Sequence, residues 1–143
     1  MMLPDVNLLI HAYNADSPLH SKARAWWETT LSRPDPVGLS WVTMMGFVRI
    51  TTHPRVLANP LPVAGACERV ESWLAQPQVM VLHPGERHAG LFFGFLRGLG
   101  SAGNLTTDAH LAALALEHQA VLQSTDADFA RFTGLRWRNP LQE

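Results

Sequence analysis

Aspartates in three short segments are the residues of this sequence best suited to chemistry. Asp5 follows an apolar start, and Asp108 opens a helix-forming stretch. Asp126 and Asp128 come just after another apolar run, and Asn7 adds a polar side chain beside Asp5. Two unit charges about 4 Å apart repel by roughly 1 kcal/mol in water and by about 4 kcal/mol at an effective dielectric near 20. A fold that gathers these carboxylates needs a hard divalent cation or must protonate one of them. This pattern predicts metal-assisted chemistry on phosphate.

Each aspartate also has a purely structural interpretation. Thr107 and Asp108 suit a helix N-terminus, where a carboxylate complements the helix dipole. Asp126 and Asp128 are residues that commonly shape a turn. Asp5 is harder to explain in this way, because it ends an apolar start and is followed closely by a second polar group. Taken together, the segments favour one shared site.

The elements that must position these acids alternate between strands and helices. Strands are predicted at residues 2–3, 37–39, 79–82, 120–123 and 135–137. Helices are predicted at 6–13, from Ser17-Pro18 to about 30, and at 41–51, 63–75, 86–99 and 107–118. This alternation predicts an α/β domain with a central, mainly parallel sheet flanked by helices. Ligands in such sheets bind beyond the carboxyl ends of the strands, where we expect Asp5 and Asp126.

Length and composition predict one globular domain spanning residues 1–143. The apolar fraction is 47% and the charged fraction 16%, as in ordinary folded proteins. The sequence contains no run of 18 apolar residues, so no membrane span is predicted. The start of the sequence also lacks the basic region that would indicate a secretory signal. Cys67, the single cysteine, fits a reducing compartment, so we expect a cytoplasmic protein. The net charge of −1 gives no global positive field for nucleic acid, although ten of the eleven basic residues are arginines.

Four ordered segments carry a family resemblance. They are Asp5-Val6-Asn7-Leu8-Leu9, Gly46-Phe47-Val48-Arg49-Ile50 with Asn59-Pro60 after it, Asp108-Ala109-His110-Leu111-Ala112-Ala113, and Thr125-Asp126-Ala127-Asp128-Phe129. In this order and spacing the chain resembles PIN-domain proteins, and more closely the VapC toxins of type II toxin–antitoxin pairs. The resemblance implies a PIN-like fold and an endoribonuclease that depends on Mg²⁺, or on Mn²⁺ in its place.

The resemblance also implies roles for individual residues. Asp5, Asp108 and Asp126 correspond to catalytic, metal-binding acids, and Asp128 is an additional candidate ligand. Asn7 corresponds to an auxiliary position that holds the first acid or orients a ligand water. The implied partners are an RNA substrate, with tRNA or rRNA as candidates, a VapB-like antitoxin and a second copy of the chain.

The sequence departs from the family pattern in the second conserved helix. PIN domains usually carry a glutamate where this chain has Gly46, and no other acid lies between Asp35 and Glu68. Arg49, one turn further on, is a candidate contact for RNA or antitoxin, or a solvated helix residue. The missing acid keeps open a catalytically weak module that binds an antitoxin or RNA. An aspartyl-phosphate phosphatase is less favoured, because Asn7 stands where such an enzyme needs a second carboxylate.

Overall fold

The computed structural model describes residues 1–142, one residue short of the predicted domain, and contains a five-stranded sheet between layers of helices. The strands are β1 (Met2–Pro4), β2 (Val37–Leu39), β3 (Val79–Val81), β4 (Val121–Gln123) and β5 (Trp137–Arg138). The helices are α1 (Val6–Tyr13), α2 (His20–Ser32), α3 (Trp41–Thr51), α4 (Val63–Leu74), α5 (His88–Leu99) and α6 (Leu105–Glu117), with a 3₁₀ turn at Ala127–Arg131. All four strand pairs are parallel, which confirms the predicted α/β class.

Strand order places the chemistry-bearing segments next to each other. Across the sheet the order is β3-β2-β1-β4-β5, so the chain builds outward from β1 first to one side and then to the other. Pro4 pairs with Gln123, and these residues end the two central strands. Asp5 and Ser124 therefore leave the sheet side by side. A reversal of strand order of this kind opens a crevice at the carboxyl edge.

Apolar side chains cover both faces of the sheet. On one face Leu3 and Leu122 pack with α5 and α6. On the other, Leu39 packs with α1, α3 and α4, where the rings of Phe47 and Trp73 meet at a centroid distance of 4.7 Å. Burial on both faces explains why the strands read as short continuous apolar runs rather than as alternating patterns.

Pro4 lies in the central strand, where proline is unusual because it has no N–H to donate. The N–H of Met2 donates to the carbonyl of Pro36 on the β2 side, and the N–H of Asp5 donates to the carbonyl of Gln123 on the β4 side. Since strand amides alternate in direction, the nitrogen of Pro4 faces β2. Pairing between β1 and β2 involves only Met2 of β1, so the proline removes no bond from the ladder.

Several predicted boundaries are wrong by about two residues. α2 begins at His20 rather than at Ser17-Pro18, because Ser17 forms a turn in which its Oγ accepts the N–H of Leu19. α5 begins two residues later than predicted, whereas α6 begins two residues earlier, and β5 is shifted toward the C-terminus. Helical spacing predicts that Val63 faces inward, but this residue is 64% exposed, since the buried stripe of α4 starts only at Ala66. A lone cysteine in an amphipathic helix favours burial by packing, but Cys67 is exposed.

Within residues 1–142, every helix is too short or too polar to cross a lipid bilayer.

Candidate metal centre at the carboxyl edge of the sheet

Asp5 is fixed at the point where β1 passes into α1. Its backbone is extended and it caps the helix, with Oδ1 accepting the N–H of Val6 at 2.7 Å. Oδ2 accepts the hydroxyl of Ser124 at 2.8 Å, and the residue is only 8% exposed. The predicted strand-to-helix turn therefore gives a buried carboxylate with a defined orientation.

Ser124 joins the segments that carry the acids. Besides donating to Asp5, its Oγ accepts the side-chain amide of Asn7 at 3.2 Å and the N–H of Asp126 at 3.0 Å. Ser124 is fully buried. Ser124 stands where PIN-domain proteins often have threonine, but the resemblance implies no role for it. The signal that pointed to it was its place two residues before Asp126.

Asp126 opens the 3₁₀ turn that follows β4. Its Oδ1 accepts the N–H of Asp128 at 2.9 Å, so the turn-forming interpretation is correct for Asp126. The same residue stays half-exposed, and its charge raises the pKa of Asp5 and of Asp108. Asp128 is exposed on the turn, and its charge also raises the pKa of Asp108.

Asp108 lies in the first turn of α6, where its carboxylate complements the helix dipole as the structural interpretation holds, but it does not cap the helix. The cap position is Asn104, whose side chain makes no capping bond. Within residues 1–142, no hydrogen bond reaches the half-buried carboxylate of Asp108. Burial, and after it the charges of Asp5, Asp126 and Asp128, together raise the pKa of this group to about 6. A carboxylate with free lone pairs and surplus negative charge around it favours a cation.

The pKa of Asp5 is also raised, chiefly by burial. The hydrogen bonds from Ser124 and from the N–H of Val6 lower it, and the charge of Asp126 raises it again. Asp5, Asp108, Asp126 and Asp128 thus form one electrostatic group drawn from three distant segments. Their shared repulsion is the observation that fits a divalent cation, since carboxylate oxygens are the hard ligands that Mg²⁺ and Mn²⁺ accept.

The acids do not form a ready-made cage. Nowhere in residues 1–142 do three or more His, Cys, Asp or Glu side chains stand close enough together to hold a metal ion. One oxygen each of Asp5 and Asp126 is engaged in a capping bond, and the carboxylates repel one another. Mg²⁺ tolerates such a site, because it keeps several water ligands and needs only one or two carboxylates.

Gly46 stands where the usual glutamate would be and marks a close approach between two helices. A Cβ at this buried position would lie 3.3 Å from Cγ2 of Val6, so α3 approaches α1 closely here. A glutamate side chain at 46 would need Val6 to move. Arg49, on the next turn, is exposed, which is compatible with either interpretation given to it above.

The chain is an open, parallel α/β protein with acids gathered at the carboxyl edge of its sheet. Proteins of this class bind ligands at that edge, where the strand order reverses. The chain belongs to the PIN-domain family, whose sequence model matches residues 2–135. Ribonucleases of this family generally depend on a divalent metal ion. The resemblance to VapC proteins is confirmed along the full length: the chain is 46% identical to ribonuclease VapC33 of Mycobacterium tuberculosis over 143 residues, which cover 100% of both chains.

Solved structures share the fold. A toxin–antitoxin complex from Klebsiella pneumoniae superposes with a TM-score of 0.61 at 17% identity, covering 98% of each chain. VapC20 of Mycobacterium tuberculosis, described as a toxin that cleaves the sarcin–ricin loop, gives a TM-score of 0.69 at 17% identity, covering 95% of this chain and 99% of that one. At these identities the likeness concerns the fold alone.

Proposed function

We propose that this protein is the toxin of a type II toxin–antitoxin pair and acts as a Mg²⁺-dependent endoribonuclease on a single PIN domain. The observation that carries the proposal is the unneutralised charge at the carboxyl edge of the sheet, where Asp108 has a pKa of about 6 beside Asp5 and Asp126. Full-length similarity to a relative named as a ribonuclease supports the same reaction class. Hydrolysis of an RNA phosphodiester is the reaction that such a site serves.

The chain's own residues prepare the site for a cation and a phosphate. Asp5 is held by Ser124 and the first amide of α1, so both of its oxygens keep a fixed direction. Asp108 offers both oxygens, and Asp126 leaves one oxygen outside its capping bond. Asn7 steadies Ser124, and Asp128 adds negative charge at the exposed rim. A bound Mg²⁺, or Mn²⁺, supplies Lewis acidity and a water of lowered pKa.

Partners follow from the relatives. The Klebsiella structure is a toxin–antitoxin complex and VapC20 cleaves an RNA loop, so we expect a VapB-like antitoxin and a structured tRNA or rRNA substrate. A homodimer and a cytoplasmic setting belong to the same proposal. The exposed Arg49 is a candidate contact for RNA phosphate or for an acidic antitoxin segment, since arginine binds both bidentately.

The test is cleavage of structured RNA by the purified protein with Mg²⁺ and with EDTA. We expect Asp5→Asn and Asp108→Asn each to reduce the cleavage rate about 100-fold or more, because metal-ion catalysis contributes several kcal/mol and 1.36 kcal/mol corresponds to a factor of ten. Asp16→Asn is the matched control, since Asp16 is exposed and lies away from the acids. Cleavage that survives both substitutions and EDTA would contradict the proposal.

A binding module without catalytic activity is the second candidate. Gly46 in place of the usual glutamate and the absence of a ready-made cage in residues 1–142 favour it. Calorimetric titration with Mg²⁺ separates the two candidates. An endoribonuclease shows binding that Asp108→Asn abolishes, whereas a module shows no acid-dependent heat while still binding antitoxin or RNA.

A further inference from the structure

A cavity separate from the four acids lies between α2 and the sheet. It has a volume of about 600 Å³ and is bounded by the C-terminal half of α2, the turn that leads into β2, and the β1–β4–β5 part of the sheet. None of the four aspartates of the candidate metal centre lines it. Its volume lies within the range of about 300–1,000 Å³ that is typical of small-molecule sites.

Two buried polar side chains form part of its wall. Gln123 of β4 is 3% exposed and Thr30 of α2 is 6% exposed, and both line the cavity. In the described part of the chain, neither the side-chain amide of Gln123 nor the hydroxyl of Thr30 makes a hydrogen bond. Their polar atoms are not sealed off from solvent, since Nε1 of Trp27 is the one enclosed side-chain nitrogen or oxygen without a partner in residues 1–142. The cavity therefore offers hydrogen-bond donors and acceptors to an occupant.

The remaining lining narrows the chemistry of that occupant. Trp26 contributes a half-buried aromatic wall, and Val37 and Val121 add apolar surface. Arg33, Asp35 and Arg138 lie at the exposed rim. The site thus combines a flat apolar wall and a buried amide with two cations and one carboxylate at its mouth.

We propose that this cavity binds a purine nucleotide. The amide of Gln123 carries a donor and an acceptor, the pair that glutamine uses to read the N6/N7 edge of adenine. Trp26 offers a surface for stacking of the base. Asp35 is placed to accept ribose hydroxyls, and Arg33 to bind the phosphate. A free mononucleotide and an unpaired nucleotide of an RNA chain share this chemistry.

The site is separate from the metal centre although the two share β4. Successive side chains of a strand point to opposite faces, so Gln123 faces α2 while Leu122 packs on the other face. Nucleotide binding should therefore not need Mg²⁺ and should persist in Asp108→Asn. This independence separates a failure of the nucleotide site from a failure of the proposed ribonuclease.

The experiment is calorimetric titration of the full chain with 5′-AMP, adenosine, inorganic phosphate and a short single-stranded RNA ending in adenosine, all in EDTA. We expect saturable binding of 5′-AMP, with adenosine and phosphate about tenfold weaker or more. Gln123→Leu should weaken 5′-AMP about tenfold, because it removes the hydrogen-bonding amide and keeps the volume. Arg33→Gln should weaken 5′-AMP but leave adenosine unchanged.

Gln76→Leu is the matched control, because Gln76 is half-buried after α4 and does not line the cavity. Thermal unfolding of each variant checks that the fold is kept. If the RNA binds and 5′-AMP displaces it, the site takes a nucleotide of an RNA chain. If only 5′-AMP binds, the site takes the free nucleotide. Lack of saturable binding by both ligands would mean that the cavity holds water and would overturn the proposal, as would equal binding by Gln123→Leu and native protein.

Discussion

Replacing Asp108 with asparagine should stabilise the metal-free protein at neutral pH. Burial, followed by the charges of Asp5, Asp126 and Asp128, raises the pKa of this carboxyl from 3.8 to about 6. A raised pKa means that the folded state disfavours the charged form. Asp108→Asn removes that charge and keeps the size of the side chain, so it relieves repulsion among the acids.

The magnitude follows from the two pKa values. The difference between 3.8 and about 6 corresponds to roughly 3 kcal/mol at full strength. Because the carboxylate is only half-buried, solvent screening reduces the expected effect to the order of 1–2 kcal/mol. The contribution of Asp108 to stability is complete below pH 3.8 and is lost as the pH rises through about 6. The advantage of the variant should therefore be present near neutrality and vanish in acid.

Urea unfolding in EDTA, at about pH 7.5 and at about pH 4, measures the difference in stability between the variant and the native protein. Asp108→Asn should unfold at higher urea than the native protein at the first pH and at nearly the same urea at the second. Asp16→Asn, at an exposed site, should follow the native protein at both. A variant that is less stable at neutral pH, or whose advantage does not change with pH, would refute the assignment of Asp108 to a repulsive acid group.

Three further predictions concern the same edge of the sheet. Ser124→Ala should lower the free energy of unfolding by about 1–3 kcal/mol in urea titrations, because Asp5 loses its hydroxyl partner. Ser124→Thr keeps a hydroxyl and should therefore retain most of the native free energy of unfolding. Gly46→Glu should cost about 1–3 kcal/mol through crowding against Val6; the double variant with Val6→Ala should recover stability, and failure to recover would place the strain elsewhere. Mg²⁺ at ten times its dissociation constant should raise the unfolding free energy of the native protein by about 1.4 kcal/mol, and an equal rise in Asp108→Asn would argue against that ligand.

Local sequence signals predicted the elements whose ends are marked by capping or helix-breaking residues. α1 and α3 have the predicted bounds, because Asp5 and Ser40 are cap residues followed by apolar helical spacing. Ser17-Pro18 was a misleading start signal, since its side chain and carbonyl are used in a turn before His20. The burial of α4 could not be read from its spacing alone, because a helix has several apolar faces and only contact with neighbours selects one.

By itself, the sequence determined the alternation of strands and helices, the family, and the placing of aspartates after β1 and β4. These depend on near neighbours in the chain, whose caps, turns and apolar runs act over a few residues. Only the tertiary structure decided that Ser124 bonds to Asp5, 119 positions away, that the charges of three segments raise the pKa of Asp108, and that Gly46 meets Val6. The physical reason is that Coulomb repulsion, desolvation and close packing depend on distance in space, which the parallel pairing of β1 with β4 sets.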